Sequence, residues 1–317
     1  MGVADVLRQL GHAVSGLPRA IAVANQFDRQ ALRAYKSAVK RYARKSWVSG
    51  VGIGIKEKAG QLQASAGPVI VIYVTRKRKR VPRTERIPKE IQGVPTDVVQ
   101  GNFVLDAGPA PRPQPPLLPL RPGSSIARSN GSAASVGGIL QDAAGMQYML
   151  TAEHVFIERP DLKPGSPMVH PGPLDLLTQT VVVARYGKKH KTMDAGIAAL
   201  EAGTAANNTA LISNVRILPP TPAIAAGTLE KSGRTTDITQ GVVRSIGQFG
   251  LAKPVVFIKP PDGAIGPISA PGDSGSIWYD AETFEAVALH RGTDPVSGDA
   301  VATPIASILT HFGLSWV

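Results

Sequence analysis

Short apolar segments separated by clusters of Gly, Pro, Asn and Asp fill the sequence from about residue 124 to its end. These segments lie near residues 136–140, 146–151, 180–185, 195–200, 226–230, 240–246, 254–258, 276–279 and 285–289. Segments of this length between turn-forming residues are typical of strands in a β-barrel or β-sandwich. The chain holds 33 Gly and 27 Pro among its 317 residues, which also favours many turns over a helical bundle. We therefore predict a mostly β fold for this part of the chain.

Two stretches in the same part of the chain depart from the β pattern. Residues 304–312 carry apolar residues spaced for one helical face, which predicts a single helix near the C-terminus. Residues 107–123 include seven prolines, so we predict a stiff linker in extended polyproline II geometry. The sequence leaves three roles open for this linker: a spacer, a site for a proline-binding partner, or a segment whose leucines pack on the next domain.

The distribution of charge divides the chain in two. Residues 1–106 carry 19 Lys and Arg against 7 Asp and Glu, a net charge of +12, whereas residues 107–317 carry 16 of each kind. The whole excess lies in the first third, which indicates two functional units with different partners or surroundings. We place the domains at residues 1–49 (basic N-terminal helices), 50–106 (a small α+β accessory unit), 107–123 (the linker) and 124–317 (the β-rich domain).

A basic amphipathic helix is predicted near the end of residues 1–49. Apolar residues recur there at helical spacing on one face, namely Leu32, Tyr35, Val39 and Tyr42. Gly16 and Pro18 are expected to separate an earlier helix from this one. The basic face either simply faces water or binds an acidic partner such as nucleic acid, anionic lipid or an acidic protein patch.

Residues 50–106 contain two strand-like stretches followed by a run of positive charge. Residues 51–55 alternate apolar residues with glycine, and residues 68–74 form a β-branched run typical of a strand covered on both faces. The basic run Arg76–Arg80 follows directly. This run either contacts phosphate groups or is the solvated end of a strand. Only one aromatic residue, Tyr73, lies close by, which speaks against a surface that stacks nucleic-acid bases.

Composition argues against several classes of site. Without cysteine the chain has no disulfide, thiolate zinc site or cysteine nucleophile, and we expect it in the cytoplasm. No apolar run is long enough to cross a bilayer, and neither a secretory signal pattern nor a myristoylation signal is found at the N-terminus. P-loop and dinucleotide fingerprints are missing, so no cofactor or metal is expected. A homo-oligomer is left open. Four of the histidines do not have a spacing that indicates a metal site, namely His12, His170, His190 and His311.

The feature with the clearest chemistry is a serine between two glycines, preceded by an acid. Gly272, Asp273, Ser274 and Gly275 stand just before the strand-like residues 277–279. A glycine at 272 leaves its N–H open to a bound carbonyl, and with the N–H of Ser274 it would hold an oxyanion. A serine alone is a weak nucleophile, so this interpretation requires a histidine base and an orienting acid. The same residues also suit an ordinary surface turn.

A histidine and an aspartate stand where that chemistry would need them. His154 follows the small residues Thr151 and Ala152 after a strand-like stretch, and Asp194 stands at the start of the apolar strand 195–198. The order along the chain is therefore His154, Asp194, Ser274. An aspartate at a strand start either caps a turn or is a buried acid that orients an imidazole.

Three local sequences in this order, TAEH at 151–154, MDAGIA at 193–198 and GDSGS at 272–276, resemble the chymotrypsin-like (trypsin-fold) serine peptidases, especially bacterial and plant members without disulfides. Residues 231–236 resemble the strand that opens the second barrel of that family. The resemblance covers about residues 124–317, and the accessory unit is similar to a segment that precedes the peptidase domain in some homologues. It implies a mostly β, chymotrypsin-like double β-barrel with a C-terminal helix, preceded by a basic helical segment and a small α+β unit.

The resemblance also implies a serine endopeptidase and a role for each residue. Ser274 attacks the peptide carbonyl, His154 takes its proton and later gives it to the leaving amine, and Asp194 fixes the histidine tautomer. The N–H groups of Gly272 and Ser274 hold the oxyanion, each donor contributing about 3–4 kcal/mol to lowering the barrier. The alternative is a non-catalytic or regulatory peptide-binding scaffold of the same fold, whose basic unit binds an acidic partner.

Substrate preference is predicted from family spacing. Ile268 and Ser269 are expected at the base of the primary pocket, and residues 286–292 at its wall. With no acid at the base, a preference for Lys or Arg is not expected. His290 resembles the histidine that glutamyl endopeptidases place against an acidic side chain, so His290 and Arg291 predict cleavage after an acidic or polar residue. The alternative is that His290 is a hydrogen-bonded core residue and that the pocket takes an apolar side chain.

The activation of chymotrypsin-type zymogens raises a further question about this chain. In those proteins a newly freed amino terminus pairs with the acid before the nucleophile. Residues 135–138 look superficially like such a start, but their position suits the strands of the first barrel better. We therefore predict that activity needs no cleavage there. What holds Asp273 in place, local hydrogen bonds or a partner, is left open.

Overall fold

The computed structural model describes residues 27–63, 67–105, 112, 115–129, 131–156, 163–175, 179–250, 252–264 and 266–317. Within these residues lie the α-helices α1 (Arg29–Tyr42) and α2 (Ile305–Phe312). The terminal helix predicted from residues 304–312 is therefore present as α2. The predicted break at Gly16 and Pro18 falls outside the described residues.

The described residues of the N-terminal unit form α1 and seven strands. In chain order these are β1 (Val48–Ile55), β2 (Glu57–Lys58), β3 (Gln61–Leu62), β4 (Pro68–Val74), β5 (Glu90–Ile91), β6 (Val94–Gln100) and β7 (Val104–Leu105). Strand β4 pairs antiparallel with β1 and parallel with β6. Helix α1 packs on this sheet through small residues. Its Ala31, Ala34 and Ala38 are fully buried, and the larger Leu32 and Tyr35 are partly buried beside them. The basic residues of α1 lie at or near the surface.

Residues 124–200 form the first β-structure. Its strands are β8 (Ser125–Arg128), β9 (Ala134–Ser135), β10 (Gly138–Gln141), β11 (Gln147–Thr151), β12 (Pro167–His170), β13 (Val181–His190) and β14 (Ala195–Leu200). They form one sheet in the order β10-β11-β14-β13-β12-β8-β9, and the last strand of the chain, β21 (Ser315–Trp316), adds to its β10 edge.

The second β-structure is a closed barrel of six strands. They are β15 (Thr228–Gly233), β16 (Asp237–Phe249), β17 (Ala252–Lys259), β18 (Ile277–Asp280), β19 (Ala286–Thr293) and β20 (Ala300–Pro304). The order is β15-β18-β19-β20-β17-β16, and the pairing of β16 with β15 closes the ring. One core cluster contains residues of both β-structures, such as Leu150, Ile197 and Leu289, so the two β-structures share part of their hydrophobic core.

The N-terminal sheet continues directly into the second barrel. Strand β1 pairs antiparallel with the long strand β16, from Gly50 opposite Phe249 to Gly54 opposite Ser245. A side-chain carbon at Gly52 would lie 2.6 Å from the hydroxyl of Ser245, which explains the glycine alternation in β1. The domain boundaries remain predictions, although hydrogen-bonded strands cross the boundary between the accessory unit and the β-rich domain.

Candidate active site

The three residues predicted to act together stand on turns at the ends of strands. His154 lies in a 3₁₀ turn, Glu153–Phe156, that follows β11, and Asp194 lies between β13 and β14. Ser274 lies on the turn that precedes β18. At Gly275 φ is +83°, and an added side-chain carbon would lie 2.2 Å from the hydroxyl of Thr151. Only glycine fits beside the serine, because both the backbone conformation and the space exclude a side chain.

The fold brings these three side chains into one hydrogen-bonded line. Ser274 Oγ lies 2.7 Å from His154 Nε2. On the other side of the ring, His154 Nδ1 lies 2.9 and 3.0 Å from the two oxygens of Asp194. The backbone N–H of His154 also donates to Asp194 Oδ1 at 2.9 Å. A carboxylate bound on Nδ1 leaves Nε2 as the acceptor for the serine proton.

Asp194 is an ionised carboxylate in a buried position. Burial alone would raise its pKa, but the hydrogen bonds and charge of His154 and the nearby charge of Arg291 hold the pKa below its usual value. Arg291 Nε lies 3.7 Å from Asp194 Oδ2, and Arg291 Nη1 donates to the carbonyl of Thr192 at 3.3 Å. The acid therefore stays charged at neutral pH, as an imidazole-orienting acid must.

Asp273 is held by a buried lysine. Lys231 Nζ lies 3.0 Å from Asp273 Oδ2, and both side chains are fully buried. The Thr236 hydroxyl donates to the same oxygen at 2.6 Å, and the backbone N–H of Thr235 donates to Oδ1 at 2.7 Å. Burial raises the pKa of Asp273, but Lys231 and these donors outweigh it and lower the pKa to about 2. Contacts within the described part of the chain, above all the ammonium group of Lys231, thus hold Asp273 in place.

Residues 135–138 lie inside the first β-structure, at β9 and β10. They support the turn of residues 272–275, which carries the candidate nucleophile Ser274 and is called the nucleophile turn below. The backbone N–H of Ser135 donates to the carbonyl of Ser274 at 3.0 Å, and the Ser135 hydroxyl donates to the carbonyl of Gly272 at 2.9 Å. The N–H of Gly137 is bound to the carbonyl of Leu150 at 2.8 Å. This segment thus lies among the strands of the first β-structure, next to the serine, as its sequence predicted; that activity needs no cleavage there stays a prediction.

Three of the four predicted pocket residues lie together under the nucleophile turn. Ser269 Oγ is 2.6 Å from His290 Nε2, and Trp278 Nε1–H points at His290 Nδ1 at 3.3 Å. Ile268 belongs to the same buried cluster as Trp278. Because the indole N–H is only a donor, Nδ1 of His290 is the acceptor and Nε2 carries the proton of the neutral ring.

Arg291, the fourth predicted pocket residue, lies elsewhere. Neighbouring residues on a strand point to opposite faces, so the guanidinium of Arg291 turns away from His290 and toward Asp194. It also lies over the ring of Phe249, 5.8 Å from its centroid. The structure therefore does not join Arg291 to His290 in one pocket, but places its guanidinium beside the carboxylate of Asp194.

Several residues of the site were not found by sequence reasoning. Lys231 stood in a recognised stretch, yet nothing local marked it as the partner of an aspartate 42 positions later. Trp278 is predicted from the sequence only as a strand residue. The sequence also does not predict that the ring of His190 contacts that of His311, at 4.2 Å between centroids, next to the Asp194 turn. A buried basic residue paired with the acid of a Gly-Asp-Ser-Gly turn is the signal a closer search would seek.

Within the described part of the chain, no group of three or more acidic or histidine residues is arranged to hold a metal ion. Neither described helix is both long and apolar enough to cross a membrane.

The closed barrel, the facing β-structure and the site between them define a chymotrypsin-like double β-barrel, as the sequence predicted. Solved structures of bacterial proteases are similar. A glutamic-acid-specific serine protease that uses a histidine triad in substrate binding is 22% identical with a TM-score of 0.49, covering 62% of this chain and all of the other. Protease A of Thermobifida fusca is 17% identical with a TM-score of 0.48, covering 62% of this chain and 98% of its own.

The Nocardiopsis protease NAPase gives 14% identity and a TM-score of 0.47, covering 62% of this chain and 98% of its own. No family model and no curated protein sequence matches the chain. At these values the likenesses carry no conclusion about activity or specificity, and the fold assignment rests on the strand pairings themselves.

Proposed function

We propose that residues 124–317 form a serine endopeptidase that hydrolyses peptide bonds through an acyl-enzyme intermediate. The observation that carries the proposal is the line of hydrogen bonds from Ser274 Oγ through the ring of His154 to Asp194, at 2.7 and 2.9 Å. A serine hydroxyl, an imidazole and a buried carboxylate in this order are the parts that nucleophilic acyl transfer requires.

In the proposed mechanism each group moves a defined proton or electron pair. The Ser274 oxygen attacks the peptide carbonyl carbon while its proton passes to His154 Nε2. The imidazolium, held by Asp194, then gives this proton to the leaving amine as the C–N bond breaks. A water molecule, deprotonated by the same nitrogen, attacks the ester, and the serine leaves with its proton restored.

The oxyanion is assigned to the N–H groups of Gly272 and Ser274. The turn that carries them is supported by Lys231 through Asp273 and by Ser135 through the Gly272 carbonyl. Donors fixed before the substrate arrives need no reorganisation in the transition state, and each contributes about 3–4 kcal/mol to lowering the barrier. The rigid turn is a physical reason to favour an active enzyme over a non-catalytic scaffold.

Cleavage after an acidic residue is the finer part of the proposal. The Trp278 N–H fixes the ring of His290 so that Nε2–H faces the hydroxyl of Ser269. His290 Nε2–H then donates to Ser269 Oγ, and the Ser269 hydroxyl, which otherwise points to Asp273 Oδ2 at 3.5 Å, is the donor that a bound carboxylate would receive. His290 is also fully buried, which equally suits a core histidine below an apolar pocket. Peptide cleavage profiles decide: a preference for Glu that His290→Gln abolishes supports the proposal, and an unchanged preference for Leu or Phe refutes it.

Labelling with a fluorophosphonate probe tests the activity directly. The wild type should be labelled and Ser274→Ala should not, while Ser315→Ala, an exposed serine on β21, should behave as the wild type does. Incubation with a diverse peptide mixture then gives the cut sites by mass spectrometry. An unlabelled wild type that leaves every peptide intact would point to the non-catalytic scaffold instead.

A second candidate function concerns the N-terminal unit. A cavity of about 440 Å³ is lined by apolar residues, by one acid, Glu85, and by basic side chains that include Arg76, Lys77 and Arg78. Apolar walls with a cationic rim suit an acidic ligand, in keeping with the proposed acidic protein or nucleic-acid partner. A mobility shift of a short oligodeoxynucleotide that weakens steeply with salt would favour nucleic acid, and no shift at low salt would exclude it.

A further inference from the structure

Strand β19 has two edges, and one of them leads to Ser274. Along one edge, residues 288–293 pair with β20. On the other edge, β18 pairs with residues 286–289. The nucleophile turn continues this second edge, because the N–H of Gly275 donates to the carbonyl of His290 at 3.0 Å and the N–H of His290 donates to the carbonyl of Ser276 at 2.8 Å.

The next two positions on that edge are taken by the chain itself. Gly292 pairs with Leu105 and Thr293 with Val104, so β7 lies antiparallel to β19 directly beyond the nucleophile turn. Strand β19 runs from His290 toward Thr293, away from the nucleophile turn, and β7 runs in the opposite direction. The chain therefore comes closer to Ser274 as it passes from Val104 to Leu105. An extended peptide bound on this edge for cleavage at Ser274 would have the same direction.

The segment before β7 is firmly anchored. The ring of Phe103 is buried against Tyr73, Phe249 and Phe257, with centroids 5.4–5.7 Å apart. The backbone N–H of Asn102 donates to Asp294 Oδ2 at 3.2 Å, just past the end of β19. These contacts hold β7 in register along the edge.

The segment after β7 is anchored on the other side of the nucleophile turn. The guanidinium of Arg112 donates to the carbonyl of Thr235 at 2.9 Å and to the carboxylate of Asp237 at 2.5–2.6 Å. The N–H of Thr235 in turn donates to Asp273, and its hydroxyl to the carbonyl of Pro271 at 2.7 Å. Residues 106–111, between the two anchors, lie outside the described part of the chain.

An extended peptide that joins a strand edge gains main-chain hydrogen bonds whatever its side chains are. A segment of the same chain competes strongly for such an edge, because its tether gives it a high effective concentration. We propose that Val104–Leu105 is a self-inhibitory occupant of the β19 edge at Gly292 and Thr293, holding the place of an extended peptide on the N-terminal side of the cleaved bond. This inference rests on the proposed peptidase: another peptide can use the edge only after β7 has left it.

Two phosphonate probes that differ only in length test the inference. Both carry the residue preferred before the cleaved bond, one as a single acylated residue and the other as the last residue of a tripeptide. In the wild type the longer probe should react no faster than the short one. In Val104→Pro, which removes a strand N–H at a half-exposed position, the longer probe should gain at least about tenfold over the short one. Ile224→Pro, in an exposed loop of the second barrel, serves as the matched control and should keep the wild-type ratio.

Hydrogen exchange in the wild type gives a measurement that does not depend on the variant folding. Amides of residues 103–105 should lose protection when the tripeptide probe is bound to Ser274, and should keep it with the single-residue probe. A wild-type ratio already above about ten, or protection of residues 103–105 that the longer probe leaves unchanged, would overturn the inference. Failure of the peptidase itself looks different, since then even the small fluorophosphonate labels no serine, and the inference falls with it.

Discussion

Charged side chains are buried in the cleft between the two β-structures but exposed in the basic run Arg76–Arg80 of the N-terminal unit. In the cleft, Asp194, Lys231 and Asp273 are almost completely buried, and each has an oppositely charged or hydrogen-bonding partner within about 3 Å. The run Arg76–Arg80, by contrast, is exposed throughout, and the ion pair that it forms with a described residue, Arg78 with Glu85, is itself partly open to solvent.

The difference shows where charge acts locally and where it acts at a distance. A buried charge interacts strongly with its neighbours, so a missing partner is costly and the geometry is fixed. An exposed charge is screened by salt and contributes little to folding, but it attracts oppositely charged partners from a distance. Substitutions in the two regions should therefore differ in size and in what they affect.

The largest effect is expected from Asp194→Asn. The amide keeps the shape of the side chain but donates toward His154 Nδ1, which forces the proton onto Nε2 and leaves no base for the serine. We expect kcat to fall by about 10⁴-fold with little change in folding. Peptide hydrolysis and thermal unfolding measure both. A loss below tenfold would show that Asp194 is not the orienting acid.

Lys231→Met should affect stability and activity together. It leaves Asp273 buried without its positive partner, which typically costs about 3–5 kcal/mol and loosens the turn that carries Gly272 and Ser274. Urea unfolding and fluorophosphonate labelling are the measurements. The double variant Lys231→Met/Asp273→Asn should recover part of the stability. Lys191→Met, at an exposed position, should change neither property.

The pH dependence of stability tests the effect of burying Asp299. Its burial, only partly opposed by Arg244, raises its pKa to about 6 from an ordinary 3.8. Between about pH 4 and 6 the unfolded chain therefore loses this proton before the folded protein does, so the free energy of unfolding falls as pH rises through that window. Asp299→Asn should remove about 2–3 kcal/mol of this fall, measured by urea unfolding at pH 4 and pH 7.

The control for that measurement is Met146→Asn, an exchange of uncharged side chains at an exposed position. It should keep the wild-type pH dependence. If the profiles of wild type and Asp299→Asn are parallel, burial of Asp299 does not contribute to the pH dependence of stability.

The smallest effect on folding is expected where the charge is most concentrated. Replacing Arg76, Lys77, Arg78, Lys79 and Arg80 by Gln should change stability by no more than about 0.5 kcal/mol per site, because these side chains face water. It should also leave kcat for short peptides unchanged. Binding of an oligodeoxynucleotide, if the wild type binds one, should weaken and lose its salt dependence. A large loss of stability would mean that this run has a structural role.

Much of the architecture could be predicted because it depends on local pattern. All nine apolar segments expected as strands overlap strands β10, β11 and β13–β19, and the terminal helix lies where its spacing placed it. Strands β8, β9, β12, β20 and β21 were missed, because they are at most five residues long and contain polar residues or proline. On α1 the predicted face was slightly displaced, since the sheet packs on the alanines rather than on the larger apolar residues.

The sequence by itself determined which residues are candidates for the chemistry, because a Gly-Asp-Ser-Gly turn, a histidine after a strand and an acid before one are each recognisable from adjacent residues. Only the tertiary structure decided which distant groups meet: Lys231 with Asp273, Arg291 with Asp194 rather than with His290, and β7 with β19. These pairings join positions tens to hundreds of residues apart. They depend on strand order, on register and on the face to which a side chain points, and no local pattern encodes them.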